Sequence, residues 1–149
     1  CIYIFMSVAD RIPCLCAALR RASRAVTRLY DAQMQVSGLS STQYTLLSVL
    51  SAAGPMPQHE LADILAADPT TLSRVLATMH GRAWIRPHAG DDRRVKLWGI
   101  APAGRRTLEK AEPGWKAAQE RMARLLGEPA FAEVRASLLR VGTVAAEDL

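Results

Sequence analysis

One stretch of the sequence places hydroxyl side chains and an arginine on one face of a short helix. In DPTTLSRVLATM the apolar residues recur at i, i+3, i+4 and i+7, the spacing of a buried helical stripe. The opposite face carries Thr70, Thr71, Arg74 and Thr78, with Ser73 at its edge. Hydroxyl groups bond to phosphates and base edges, and an arginine fork matches the O6 and N7 atoms of guanine. These residue types predict recognition of a nucleic acid.

The charge of the chain agrees with an anionic partner. The 149 residues include 19 Lys and Arg and 14 Asp and Glu, which gives a formal net charge of +5 and a pI near 9.6. Residues 10–31 and residues 55–106 each carry a net charge of +3, whereas residues 107–149 carry −1. Half of the residues are apolar, which is enough for one compact domain. The basic regions therefore favour a polyanion as partner.

Other kinds of chemistry find little support in the sequence. His59, His80 and His88 are scattered, and no Cys or carboxylate joins them at ligand spacing, so we expect no metal site and no cofactor. The chain lacks a Gly-rich phosphate loop and a nucleophile elbow, so we expect no enzyme. No window holds the roughly 18 apolar residues of a membrane helix. The three Cys, all within the first sixteen residues, make no disulfide framework, and we expect a cytoplasmic protein.

The first long segment has the pattern of a helix that packs against, or pairs with, another helix. Its apolar residues alternate by four and three: Leu15, Leu19, Ala22, Val26 and Leu29. The other side carries Arg20, Arg21, Arg24 and Arg28. We expect this helix over 10–36, with Gly38 ending it.

Capping residues place the next two helices. Ser40 and Gln43 have the spacing of a capping box, so a helix begins there and runs to about Ala53. Gly54–Pro55 stops it, and a short helix follows over 58–66. Two small residues then make a tight turn before the stretch described first.

That stretch and a β-hairpin complete a recognisable order. Asp68 caps the helix and Pro69 takes its first position, which leaves N–H groups at 69–71 that we expect to be free for a phosphate. After Gly81 the hydrophobic period becomes two, which predicts a hairpin with a charged tip. Helix, short helix, turn, helix and hairpin form a winged helix-turn-helix, whose second helix enters the DNA major groove.

The hairpin supplies a second set of candidate contacts. Asp92, Arg93 and Arg94 stand at its tip, where an arginine can enter the adjacent minor groove. Arg86 and Lys96 lie on its strands, within reach of phosphates. The candidate DNA-binding residues are therefore Pro69, Thr70, Thr71, Ser73, Arg74, Thr78, Arg86, Asp92, Arg93, Arg94 and Lys96.

Three segments resemble the multiple antibiotic resistance regulator (MarR) family: GLSSTQYTLLSVL, ELADILAADPTTLSRVLATMHGRAWI and DDRRVKLWGIAPAGR. The resemblance covers roughly 15–127. It implies a homodimer, built by the first and last helices, on a pseudo-palindromic operator. It also implies that the recognition helix and the wing residues Asp92 and Arg94 contact DNA. Ile100–Ala101 stands where the family usually has Leu-Thr, so the threonine cap of the next helix is missing.

The expected fold is mainly α with a small β-hairpin wing. Residues 38–101 form the winged helix-turn-helix domain, while 10–37 and 102–149 form a helical dimerisation region. Within the latter, one helix opens at Pro102 and ends near Leu126. Residues 1–9 are expected to be an N-terminal extension, with a natural start at Met6.

The resemblance also implies an effector. Family members often release DNA when a small ligand, frequently an aromatic acid, binds between the dimer helices and the winged module. The candidate ligand residues are Arg20, Arg24, Tyr30, Met34, Gln43 and Tyr44. An arginine fork suits a carboxylate. Alternatively, these arginines pair with acidic residues of a partner chain or lie over phosphates.

A rival switch is redox chemistry at Cys16. CLCAALRRASRAVTRLY resembles the start of the organic hydroperoxide sensors in the same family, with Cys16 at their reactive position. Tyr30 matches one of their two tyrosines, but Arg20 occupies the position of the other. Cys14 and Cys16 would lie about 200° apart on a helix, so we expect no bridge between them. Alternatively, Cys16 is a small buried residue in the dimer seam.

The sequence thus predicts a dimeric DNA-binding regulator, a repressor that a small ligand releases. A non-DNA helical module that binds a protein through the same surface is the alternative of another class.

Overall fold

The computed structural model describes residues 14–89 and 96–147, and over these ranges it is mainly helical with a small antiparallel sheet. The helices are α1 (Leu15–Met34), α2 (Ser41–Ala53), α3 (Gln58–Leu65), α4 (Pro69–Gly81), α5 (Pro102–Leu126) and α6 (Glu128–Glu147). The strands are β1 (Met56–Pro57), β2 (Ile85–Ala89) and β3 (Lys96–Ile100). A 3₁₀ turn over Gln35–Ser37 follows α1. The expected fold class is confirmed.

The connection from α1 to α2 is built from local hydrogen bonds. Gly38 adopts φ = 73°, the left-handed conformation that ends the first helical segment as expected. The predicted capping box is present, since Ser40 Oγ accepts from Gln43 N–H while Gln43 Oε1 accepts from Ser40 N–H. Asp31 Oδ1 on α1 also accepts the N–H of Ser41 at 2.6 Å. This bond fixes the start of α2 against α1.

The helix-turn-helix unit is made by α3 and α4. Ala66 takes the left-handed conformation (φ = 46°) and turns the chain after α3. Asp68 Oδ1 then caps α4 by accepting from the N–H groups of Thr70 and Thr71, each at 3.0 Å. Pro69 occupies the first turn of α4 without loss of a helical hydrogen bond, because an N–H at that position would have no partner within the helix.

The sheet has three strands in the order β1-β3-β2, all antiparallel. Ile85 pairs with Ile100 in the hairpin, and Met56 pairs with Trp98 on the other side of β3. The sequence predicts only the hairpin. Strand β1 is not predicted, because its two residues are too few to show a period of two.

The core lies between α2, the helix-turn-helix unit and the sheet. Leu46, Leu47, Leu61 and Met79 are fully buried there. The apolar stripe predicted for α4 is confirmed, because Leu72, Leu76 and Met79 are buried and Val75 is half-buried.

The long helix α5 joins the winged domain to α1. It begins at Pro102 and ends at Leu126, as predicted, and Ala101 provides no side-chain cap. Pro113 lies inside the helix, as the predicted bounds require. Proline has no N–H, so one backbone hydrogen bond of α5 is absent beside Gly114. Among helices within 14–89 and 96–147, none is long and apolar enough to cross a bilayer.

Apolar side chains remain on the surface of α1 and α6. Leu15 of α1 is 65% exposed, and Leu139 and Val144 of α6 are 63% and 66% exposed. None of the residues described in α6 is buried. The predicted domain limits, 38–101 between 10–37 and 102–149, remain predictions.

Candidate nucleic-acid interface

The outer face of α4 is the centre of the candidate site. Its predicted residues Thr70, Thr71, Ser73, Arg74 and Thr78 are all exposed. The capped N-terminus fixes the helix from one end, and the buried leucines fix its rotation against the core. The face therefore projects from a rigid element with its hydroxyl groups and guanidinium outward.

Backbone donors at the start of α4 differ from the expectation. The sequence predicts free N–H groups at 69–71 for a phosphate, and that prediction is wrong. Pro69 has no N–H, and the N–H groups of Thr70 and Thr71 are both taken by Asp68. A cap strong enough to begin the helix uses the donors that an anion would need.

Two hydroxyl groups of the face are engaged within the protein. Ser73 Oγ donates to the carbonyl of Pro69 at 2.8 Å, and Thr78 Oγ1 donates to the carbonyl of Arg74 at 2.9 Å. Each hydroxyl has one proton, so these two groups meet a partner only as acceptors. The guanidinium of Arg74 projects from this exposed face as its cation.

Gln58, the first residue of α3, also belongs to this candidate site, although the sequence pattern does not indicate it. Its Nε2 donates to Ser73 Oγ at 2.8 Å, across 15 residues of sequence. A polar residue at the start of a helix gives no signal of such a partner. Only the packing of α3 against α4 brings the two side chains together.

The wing contributes cations from its stem. Arg86 on β2 and Lys96 on β3 are exposed. Lys96 Nζ lies 4.2 Å from the ring centroid of Trp98, a cation–π contact that holds the ammonium beside the sheet. The tip residues Asp92, Arg93 and Arg94 lie outside the described residues, and their role stays a prediction.

His80 and His88, near the base of the wing, each contact neighbouring residues and do not form a cluster with each other. His80 Nδ1 lies 3.2 Å from the carbonyl oxygen of Ile85, and its ring meets Trp98 edge-on at 5.5 Å. His88 Nε2 is buried without a hydrogen-bond partner, next to Gly99. Over the described ranges, no group of three or more His, Cys, Asp or Glu is placed to hold a metal ion.

The candidate ligand residues do not form one pocket in this chain. Arg20 and Arg24 are exposed on α1. Met34 is in the core with 1% exposure, and Gln43 is held in its capping box. Tyr44 stacks on Trp115, with ring centroids 5.6 Å apart.

Tyr30, the sixth candidate, borders an apolar cavity of about 350 Å³ between α1, α5 and α6. The wall is formed by Val26, Tyr30, Gln119, Met122, Leu126, Phe131, Val134, Arg135, Leu138 and Leu139. Burial raises the pKa of the Tyr30 phenol above its usual value. An apolar cavity with one guanidinium and one phenol suits a small amphipathic molecule.

Cysteine geometry at the start of α1 also differs from the expectation. Cys14 and Cys16 are both exposed, and Cys14 precedes the helix with an extended backbone (φ = −118°, ψ = 112°). The predicted separation of about 200° assumed that both residues are helical, and that assumption is wrong. Cys16 is not buried within a single chain.

Comparisons with known proteins agree with this architecture. Residues 37–94 match the model of the MarR family. A crystal structure of the M. tuberculosis transcriptional regulator MosR in complex with DNA superposes with a TM-score of 0.81. It is 33% identical, and the match covers 90% of this chain and 97% of that one.

Two further relatives are more distant. The crystal structure of E. coli MarR in its apo form has a TM-score of 0.71 at 18% identity, covering 87% of this chain and 98% of that one, and it shows the fold alone. The Bacillus subtilis HTH-type transcriptional regulator YwoH, named as uncharacterised, is 28% identical over 79 residues. That match covers 53% of this chain and 58% of the length of YwoH.

Proposed function

Since this chain belongs to the MarR family of transcription regulators, we propose that it binds double-stranded DNA as a homodimer at a pseudo-palindromic operator and represses transcription there. The observation that carries the proposal is the exposed hydroxyl-and-guanidinium face of α4, fixed by its cap and its buried stripe. A protein dimer on promoter DNA excludes polymerase by occupancy, which is the simplest way to repress.

The geometry of α4 suits the major groove. A helix of 13 residues whose outer face carries short polar side chains can approach base edges closely. Arg74 can fork onto a guanine, and the methyl groups of Thr70 and Thr71 can touch thymine. The exposed cations of the wing stem, Arg86 and Lys96, would then lie over neighbouring phosphates.

A matched pair of arginine variants tests DNA binding. Arg74→Ala should cost ~1–3 kcal/mol, mainly at one base position, because a bidentate arginine–guanine contact is lost. Arg121→Ala removes the same charge from an exposed position of α5 and should leave base preference unchanged. Binding to duplexes selected from a randomised library measures both effects. An Arg74→Ala variant with wild-type base preference would contradict the assigned role.

Salt dependence separates this proposal from the alternative class, a helical module that binds a protein. Phosphate contacts release counterions, so affinity falls by roughly 0.9 log units per contact for each log unit of salt. A partner held by apolar contacts loses little affinity when salt is added. A flat salt response would therefore favour the protein-binding module.

The proposal of a homodimer is supported by the uncovered helices. α6 is 20 residues long and, over the part that the structure describes, none of its residues is buried. A helix gains most of its stability from packing, so another surface must cover the apolar side chains of α6. The exposed apolar side chains of Leu15 and Val26 on α1 also need a covering surface. Sedimentation equilibrium of the full chain tests it, and a monomer at micromolar concentration would refute it.

Release by a small aromatic carboxylate completes the proposal. What supports it is the cavity between α1, α5 and α6, which has the volume and apolar wall of a ligand pocket. Its wall includes Val26 and apolar residues of α6, so the proposed ligand would lie at the edge of the proposed dimer interface. Arg135 supplies a guanidinium for a carboxylate, and the phenol of Tyr30 lies on the same wall. This set replaces most of the residues predicted from the sequence.

Thermal shift against a panel of aromatic acids tests the effector. A binder raises the melting temperature by mass action, and Arg135→Ala should remove that increase. If every acid that stabilises the wild type stabilises Arg135→Ala equally, this cavity is not the effector site. The oxidant-sensing alternative at Cys16 stays a prediction, because exposure alone does not make a thiol reactive.

A further inference from the structure

The hydrogen bond between α3 and α4 has a fixed direction. Ser73 Oγ lies 2.8 Å from the carbonyl oxygen of Pro69, and a carbonyl only accepts. The single hydroxyl proton of Ser73 is therefore committed to that carbonyl. Toward Gln58 the hydroxyl acts as acceptor, so the amide of Gln58 must turn its nitrogen, not its oxygen, toward Ser73.

This arrangement leaves Ser73 with little to offer a base. Its proton and one lone pair are used inside the protein, and what remains is one weak acceptor site. The amide of Gln58 keeps more hydrogen-bonding groups available than Ser73 does. It retains its second N–H and both lone pairs of Oε1, for which the described ranges contain no partner.

The amide of Gln58 also lies at the edge of the exposed α4 face. Its nitrogen is bonded to Ser73, on the edge of the exposed α4 face that carries Thr70 and Arg74, and Gln58 itself is half-buried. The bond to Ser73 holds the amide in one orientation. A flexible side chain that is already ordered loses less entropy when it binds.

We infer that Gln58, held by Ser73, reads a base at this edge of α4 and selects adenine. The free N–H can donate to adenine N7 while Oε1 accepts from adenine N6–H, the pairing that glutamine makes in the major groove. Guanine presents two acceptors on this edge and leaves Oε1 unpaired. Ser73 is then a positioning residue and not itself a reader. The inference rests on the proposed DNA binding.

Selection with the full chain from a randomised duplex library provides the test. The preferred duplex and each of its single-base variants are then titrated with the wild type, Gln58→Ala, Gln58→Glu and Ser73→Ala. Gln35→Ala, at an exposed residue of the 3₁₀ turn, is the matched control. Melting temperatures of all variants show whether the fold is kept.

We expect one adenine in each half-site to depend on Gln58. Gln58→Ala should reduce discrimination at that position from about tenfold to less than twofold. Ser73→Ala should weaken discrimination at the same position and at no other, since it removes the group that orients the amide. Gln58→Glu should move the preference there to cytosine, because a carboxylate only accepts and cytosine N4 donates.

Two results would overturn the inference. If Gln58→Ala lowers affinity equally for every sequence, the amide only braces α3 against α4. If Gln58→Ala and Ser73→Ala relax different positions, the two side chains do not act together. A wild-type chain that selects no duplex would instead refute the proposed DNA binding, and this inference with it.

Discussion

Gly114 is a position at which one added methyl group should be costly. It lies inside α5, where that helix crosses the end of α1. A Cβ atom built there would stand 2.3 Å from the carbonyl oxygen of Gln33 and 3.2 Å from Cα of Met34. Both neighbours are backbone atoms, so no side-chain rotation can relieve the contact. Gly114→Ala must push the two helices apart.

The magnitude follows from two opposing effects. Overpacking costs about 1–3 kcal/mol, and rigid backbone on both sides places Gly114→Ala near the upper end. Alanine has a helix propensity about 1 kcal/mol better than glycine, which offsets part of that cost. The net loss is about 2 kcal/mol. For a chain of this length it lowers the melting temperature by about 4–8 °C.

Thermal unfolding followed by circular dichroism measures the effect. Gly81→Ala and Gly142→Ala are the matched controls, because a Cβ atom at either position meets nothing within 4 Å. The controls should leave the melting temperature unchanged or raise it by a few degrees. A Gly114→Ala variant as stable as these controls would refute the claim that α1 and α5 require a glycine at their crossing.

Two further predictions concern the cap of α4 and the half-buried phenols of Tyr30 and Tyr44. Asp68→Ala should lower the melting temperature by about 2–4 °C, since the cap of Thr70 and Thr71 is worth about 1 kcal/mol, whereas Asp68→Asn should keep most of it. Burial raises the pKa of Tyr30 and, together with the nearby Glu112 carboxylate and against a hydrogen bond to Ser48, the pKa of Tyr44. The unfolded chain then loses its phenol protons at lower pH than the folded chain. This contribution to stability is complete below about pH 10 and falls as pH rises above it. Urea unfolding across that range should show a shallower fall for the Tyr30→Phe, Tyr44→Phe double variant, and an unchanged fall would contradict the prediction.

Local sequence determined most of the secondary structure. The capping box at Ser40, the cap at Asp68 and the left-handed Gly38 each depend on residues within about four positions of one another. The same is true of the apolar stripe of α4, and therefore of the exposed face opposite to it. Those features could be predicted because the physics that produces them is short-ranged.

The tertiary structure decided how these elements meet. Met56 pairs with Trp98 across 42 positions, and Gln58 meets Ser73 only because α3 folds against α4. Among the candidate ligand residues, Met34 is drawn into the core by tertiary packing, whereas Gln43 is engaged locally, in the capping box that the sequence predicts. Which polar groups remain free for a partner depends on hydrogen bonds and packing between distant segments. Periodicity and capping patterns carry no information about those contacts.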